Sequence, residues 1–450
     1  MLTLLRIAWR NLWRNTRRTL LTALTVALGL ALLLVSLGLG DGAHQQMIES
    51  AVRMGSGHVL VQADGYQAIG GIERTLREAE ADEARRRIEA AGDFPVTAVT
   101  TRIFASGLAS SADGSTGVQI IGVEPGGERA GSNFPKKIIE GQFLDEGDDN
   151  LVVIGRGVAR KLELEVGDKL VLMAQAADTS EVQSRLVRVK GILGTGQDQY
   201  DQIIVLLPLS EAQRFFNLPG QVHQLAVILE SSHTSEELAR ALRQSLASDR
   251  QAAEQPSAGS PPTTASAATQ EQLDAEGFRR GGVEVLNWRQ ALPELEEFIR
   301  VDDGGNYVFH VFLFLLIGFM VLNTLLMSVL ERRREFTLLS ALGLPPAQRF
   351  TMVLLEAALI GALASAAGLA LGWSAHKYFE VYGLPLAALM DIEEGATVAG
   401  VAFDPVMYSY LSPERIFLSI LWIFVMTLIL AVMPAWRAAR AADVQLLGRD

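Results

Sequence analysis

At 450 residues, 49% of them hydrophobic, the chain is too apolar for a disordered polymer and long enough for two or three folded units. A formal charge of −12 and a pI near 5.2 argue against a nucleic-acid partner. There is no cysteine, which excludes a disulfide framework and any thiolate-ligated metal, and the six histidines fall nowhere at metal-ligand spacing.

In chain order, residues 1–18 come first. With about 100° between successive helical residues, Leu2, Leu5, Ala8, Trp9, Leu12 and Trp13 share one side and Arg6, Arg10, Arg14 and Arg17 the other. This predicts a helix in the membrane interface, Trp9 and Trp13 among the headgroups and Arg6, Arg10 and Arg14 toward anionic lipid. The plainer alternative is an extension of the first span whose arginines only set topology. Residues 19–40 form that span, longer than a signal-peptide core and read as an uncleaved anchor. Its Gly and Ser residues hint at self-association.

Residues 41–306 read as an α/β extracytoplasmic domain. Strand-like runs occur at His58–Gln62, Val96–Phe104, Val118–Val123, Leu151–Ile154, Lys169–Met173, Leu186–Leu193, Ile203–Leu207, Gln224–Leu229 and Val283–Leu286. Helical patterns occupy Glu73–Ala91, Ser235–Ala247 and Leu292–Arg300. Residues 252–270 are poor in bulky apolar groups and read as a mobile low-complexity insertion. His44, His58, His223 and His233 are expected at solvent-facing or edge positions.

The second span is 307–330, followed by a charged segment 331–349, a third span 350–376, a short loop 377–414, a fourth span 415–434 and a tail 435–450. Gly343 suits the position just past a helix end, and Pro345-Pro346 suits a helical restart. A helix leaving the membrane, a sharp turn and a helix re-entering it make a lever. Glu356 is expected to reach the headgroups or Arg349, the alternative being a proton-coupling role, and Met433-Pro434 to end the fourth span ahead of a short helical tail. The loop 377–415 is mostly acidic, whereas the N-terminal segment, the 331–349 turn and the tail carry arginines. The positive-inside rule then places both termini and the turn in the cytoplasm and the large domain outside. The fold class is an α-helical membrane protein with four transmembrane helices and a large α/β extracytoplasmic domain between spans one and two.

Catalytic signatures are missing. No Gly-Lys dipeptide occurs, so there is no standard phosphate-binding loop, and neither H-E-x-x-H nor G-x-S-x-G is present. Gly155-Arg156-Gly157 lacks the third glycine of a dinucleotide fingerprint and reads as a turn. No catalytic residue, metal site or cofactor is assigned to this chain.

Three stretches carry a resemblance. M-S-V-L-E-R-R-R-E-F-T-L-L-S-A-L-G-L at 327–344, V-I-G-R-G-V-A-R-K-L-E-L-E-V-G-D-K-L at 153–170 and P-A-W-R-A-A-R-A-A-D at 434–443 are similar to segments of the FtsX/MacB-type, mechanotransmission permeases of ABC transporters. Among these the chain most resembles the lipoprotein-releasing LolC/LolE family, although Val444 stands where proline is usual and the 252–270 insertion is not a family feature. The resemblance implies a non-catalytic inner-membrane subunit that pairs with a second permease copy or paralogue and with a separate ABC ATPase that binds ATP-Mg. It further implies contact with membrane lipid, and a periplasmic carrier or adaptor as partner. Carried over by position, Glu331, Arg332 and Glu335 would make charged contacts with the ATPase, and Ala341, Leu342 and Gly343 would form the tight turn. Leu32, Val35, Phe312 and Phe319 are the candidate lining of a lipid-open cavity. The cargo implied is a lipoprotein or other lipid-anchored molecule. The alternatives are a tripartite efflux permease and an FtsX-like regulator of a cell-wall hydrolase.

Overall fold

A computed structural model describes residues 2–14, 16–177, 181–253, 282–385, 397–398, 401–402 and 406–440. It divides into two compact units, one of residues 1–46, 299–391 and 405–450, the other of residues 47–298 and 392–404.

The first unit is helical. Helix Leu2–Arg14 precedes four long helices, Thr16–Ala51, Pro293–Glu331, Pro346–Tyr382 and Pro413–Arg440, here called spans one to four, each long and apolar enough to cross a membrane. Each of these four helices outruns its expected apolar window, because the backbone ladder continues through polar residues at both ends. The shared core joins Leu30 and Leu34 of span one, Ile317 and Val321 of span two, Ala357 and Ala364 of span three and Ile423 of span four. Gly368 and Gly372, one turn apart on span three, let span one approach closely: a Cβ at Gly368 would stand 2.8 Å from the carbonyl oxygen of Ala27. Small residues of span one also pack within the chain, Gly29 against Ile317 and Gly38 against Ser409. The expected short helical tail after Met433-Pro434 is present over residues 435–440, continuous with the preceding helix. Span four runs on to Arg440 with Pro434 inside it, and burial of Ala435 and Ala438 beside Met352 and Val353 offsets the missing backbone bond.

The second unit is built on a ten-stranded sheet, β1 (Val59–Ala63), β2 (Val96–Ser110), β3 (Ser115–Val123), β4 (Ile138–Gly141), β5 (Leu151–Gly155), β6 (Lys169–Gln175), β7 (Val182–Leu193), β8 (Ile204–Pro208), β9 (Gln224–Leu229) and β10 (Val283–Asn287). The long strand β2 serves two neighbourhoods. Its first half pairs with β9, which continues through β1 to β10. Its second half pairs with β3 and β6, and the circuit β2-β3-β8-β5-β7-β6 returns to β2, so six strands close on themselves. Closure removes edge strands from that part of the sheet.

Residues paired directly across strands share a face. One face carries Val59, Val61, Ile103, Ala105, Ile120, Leu225 and Val227, all in the large core under helices Glu78–Ala90 and Ser235–Ala253. The other face carries two smaller clusters, one around Ile121, Val123 and Phe134, the other around Leu60, Ala226 and Leu286.

The sequence-based strands recur with shifted ends, most of all at β2 and β7, which extend beyond the expected runs because pairing continues through polar residues. The strand β4 and the short helices Pro125–Gly131, Arg156–Leu162 and Leu209–Phe215 were not expected. Gly155-Arg156-Gly157 is thus a strand-to-helix junction rather than a simple turn. Residues 254–270 of the expected insertion lie outside the described residues, as do 441–450 of the tail; Ala252 and Ala253 close a helix.

Three of the four named histidines contradict the surface reading. His44 is 9% exposed and His58 and His223 are 0% exposed, whereas His233 is exposed as expected. His44, on span one, meets the Asp302 carboxylate of span two at 2.8 Å, whereas the other two rings satisfy backbone groups that strand pairing leaves over. His223 Nδ1 accepts the Phe104 amide at 3.0 Å while Nε2 faces the Ile72 carbonyl at 3.1 Å. His58 Nδ1 accepts the Leu229 amide at 3.0 Å. Burial pushes the His223 imidazole down to about 4, so it is neutral at pH 7.

Candidate coupling site

Span two ends at Arg332, where φ −95° and ψ 16° interrupt the ladder, and the short helix Arg333–Ala341 begins at once. Its C-terminus closes with two backbone bonds. The Gly343 amide donates to the Ser340 carbonyl at 2.9 Å and the Leu344 amide to the Leu339 carbonyl at 3.0 Å. That Schellman closure needs a left-handed residue, and Gly343 supplies it at φ +88°. Pro345 then bars further helix, and Pro346 opens span three, a position where a missing amide hydrogen costs nothing.

One side of the short helix is anchored. Phe336 is 1% exposed and packs with Val329, Met352, Val353, Ala435 and Ala438. The opposite side and the turn stand in the open: Leu342 is 84% exposed and Leu338 65%, and Ala341, Gly343, Pro345 and Pro346 are exposed with them.

The charged residues divide in the same way. Arg332 donates to Glu335 at 3.0 Å and to both oxygens of Glu356 at 3.1 and 2.9 Å, and its guanidinium lies 5.5 Å from the Phe336 ring centre. Glu335 in turn receives Arg14 from helix Leu2–Arg14. The hydrogen bond from Arg14 is the main reason the Glu335 carboxyl is held below the usual carboxylate range; desolvation opposes it and Arg332 adds to it. Arg14–Glu335–Arg332–Glu356 is therefore one chain of ion pairs joining the first helix, the short helix and span three.

Of the six expected contact residues, the structure places Ala341, Leu342 and Gly343 at an exposed tip and Glu331 on an exposed flank. Arg332 and Glu335 are engaged within the chain. Glu356 pairs with Arg332 and not with Arg349, because the break at Arg332 turns that side chain toward span three. Arg349 is 2% exposed, with Nε and Nη1 lacking a partner among the described residues. Sequence reasoning missed the Arg14 link, for which no local spacing gives a signal. It also missed Leu338, whose signal was an apolar residue on a highly charged helix.

The remaining expectations sit apart from this turn. On helix Leu2–Arg14, Ala8 and Leu12 are buried while Trp9, Trp13, Arg6 and Arg10 are exposed, the two indoles meeting edge-on at 6.0 Å. Within the helical unit an apolar cavity of about 610 Å³ lies among Leu33, Leu37, Phe314, Trp422 and Met426. Leu32, Phe312 and Phe319 are exposed and Val35 is half-buried, and none of the four lines this cavity.

Residues 19–245 match the MacB-like periplasmic core domain, and residues 307–442 match the FtsX-like permease C-terminal domain. The chain belongs to the MacB/FtsX-type family of ABC transporter permeases. It is 24% identical over 277 residues to the lipoprotein-releasing system transmembrane protein LolC of Neisseria meningitidis, covering 59% of each chain. It is also 24% identical over 288 residues to an ABC transporter permease protein of Mycobacterium tuberculosis, covering 62% of this chain and 28% of the relative. The chain thus spans less than two thirds of either relative's length. The crystal structure of the periplasmic region of MacB from Actinobacillus actinomycetemcomitans covers 56% of this chain and 98% of that one, with a TM-score of 0.32 at 12% identity. In this permease the matched C-terminal region contains the whole ion-paired turn apart from Arg14.

Proposed function

We propose that the permease is the non-catalytic subunit of a mechanotransmission transporter, and that the 331–349 turn docks on a separate ABC ATPase that binds ATP-Mg. The observation that carries this is the split character of the turn. An apolar tip of Leu338, Ala341, Leu342 and Gly343 is bare, while the ion pairs behind it tie the short helix to two other helices. A push on such a tip moves a braced body rather than bending a loop. The arginine distribution supports a cytoplasmic place for the turn and both termini in a bacterial inner membrane, with the 47–298 unit outside. A second permease copy or paralogue completes the assembly. The resemblance to lipoprotein-releasing LolC supports a lipid-anchored polypeptide as cargo.

The test is co-purification of the ATPase with variants of the tip. Leu342→Asp places a charge at a position with no packing to lose, and Gly343→Pro removes both the left-handed φ and the amide that closes the helix. Both are expected to lose the ATPase while inserting normally into membranes. Retention by both variants defeats the docking assignment.

A further inference from the structure

The second face of the sheet holds a gap. Between its two small apolar clusters the strands present polar and aromatic side chains instead, Gln119 from β3, Gln224 from β9 and Phe104 from β2. Gln197 and Tyr200 border the same gap, and residues 51–56 and 291–295 form two of its walls. The cavity measures about 610 Å³, within the size range of ligand sites.

Its chemistry is specific. Gln224 is 6% exposed, yet its side-chain amide has no hydrogen-bond partner among the described residues, and neither does that of Gln119. Neither amide is sealed off from the open cavity, so each can exchange its water for a ligand group that donates and accepts. No Lys, Arg or His lines the cavity among the described residues, and Glu294, at the exposed rim, is the one charged lining residue. The nearby Arg102 is fully engaged, donating to both oxygens of Glu128 at 2.6 and 2.9 Å and to the Gly55 carbonyl. The site therefore disfavours phosphates and carboxylates. Primary amides both donate and accept, which matches the alternating N–H and C=O groups of an extended backbone, and the Phe104 and Tyr200 rings give flat walls for small side chains.

We propose that this cavity binds a short, extended, uncharged stretch of polypeptide. Resting on the reading of a lipid-anchored polypeptide cargo, that stretch is the segment following the anchor. The two walls run on directly into spans one and two, so an occupant touches the chain segments that movement of those helices would displace.

The experiment uses the full chain in lipid nanodiscs. Because the sequence has no cysteine, Glu294→Cys gives a single site for an environment-sensitive dye at the rim. A soluble peptide of Gly, Ser, Asn and Thr without an acyl chain is the probe. Saturable binding is expected, weakened at least tenfold by Gln224→Met and by Gln119→Ala, and weakened similarly when aspartates are placed in the peptide. Absence of saturation, equal binding by both variants, or saturation by a neutral oligosaccharide but not by the peptide overturns the proposal. The titration needs no ATPase, so a Leu342→Asp chain that has lost its ATPase still reports on the cavity, and the two readings fail separately.

Discussion

Glu356→Gln tests the brace behind the turn most directly. The substitution keeps the side-chain volume and removes the charge that Arg332 meets at 2.9 and 3.1 Å. The side chains are 11% and 13% exposed, so water screens the pair only weakly. Removing one member of a fully buried pair costs ~3–5 kcal/mol. Here Arg332 keeps Glu335 at 3.0 Å and a glutamine oxygen still accepts one bond, which lowers the expected loss to ~2 kcal/mol. At ~1.4 kcal/mol per decade, opening of the short helix becomes about 30-fold more frequent. Amide hydrogen exchange on the full chain in nanodiscs reads this in peptides covering residues 333–344, with residues 96–110 of β2 as the internal control. Faster exchange confined to the first segment is expected. Unchanged exchange there, or an equal rise in β2, refutes the brace. The double variant Arg332→Met with Glu356→Leu removes both charges and is expected to recover much of the protection.

Two further predictions concern the β-rich unit. Glu128→Gln leaves the Arg102 guanidinium, 1% exposed, without its carboxylate and is expected to lower stability by ~3–5 kcal/mol in thermal or urea unfolding of the full chain; a loss below ~1 kcal/mol contradicts the structural role. The second follows from His223, held near 4 by burial against about 6.5 when unfolded. Between those values the unfolded chain binds the extra proton, so stability is complete above about 6.5 and falls as pH drops toward 4, by at most ~3 kcal/mol. Unfolding midpoints measured across that window should show the slope, and His223→Gln should flatten it.

What could be read locally was read from the sequence. Four apolar windows, the basic clusters beside them, the alternation of most strands and the Gly343–Pro346 stop and restart all depend on neighbours within a few residues. The tip of the turn was legible in part, since Gly343 follows from where a helix must end, while Ala341 and Leu342 came from the family resemblance. Tertiary structure alone decided which charges are engaged. Arg14 and Glu335 are 321 positions apart, and Glu356 turned from Arg349 to Arg332 because packing of the short helix sets the direction of that side chain. It also decided that three histidines lie inside, that Pro434 is carried within a helix, and that one strand serves two halves of a sheet. The physical reason is common to all of these. Helix periodicity and turn chemistry are properties of short segments, whereas burial and long-range pairing are properties of the surfaces those segments share.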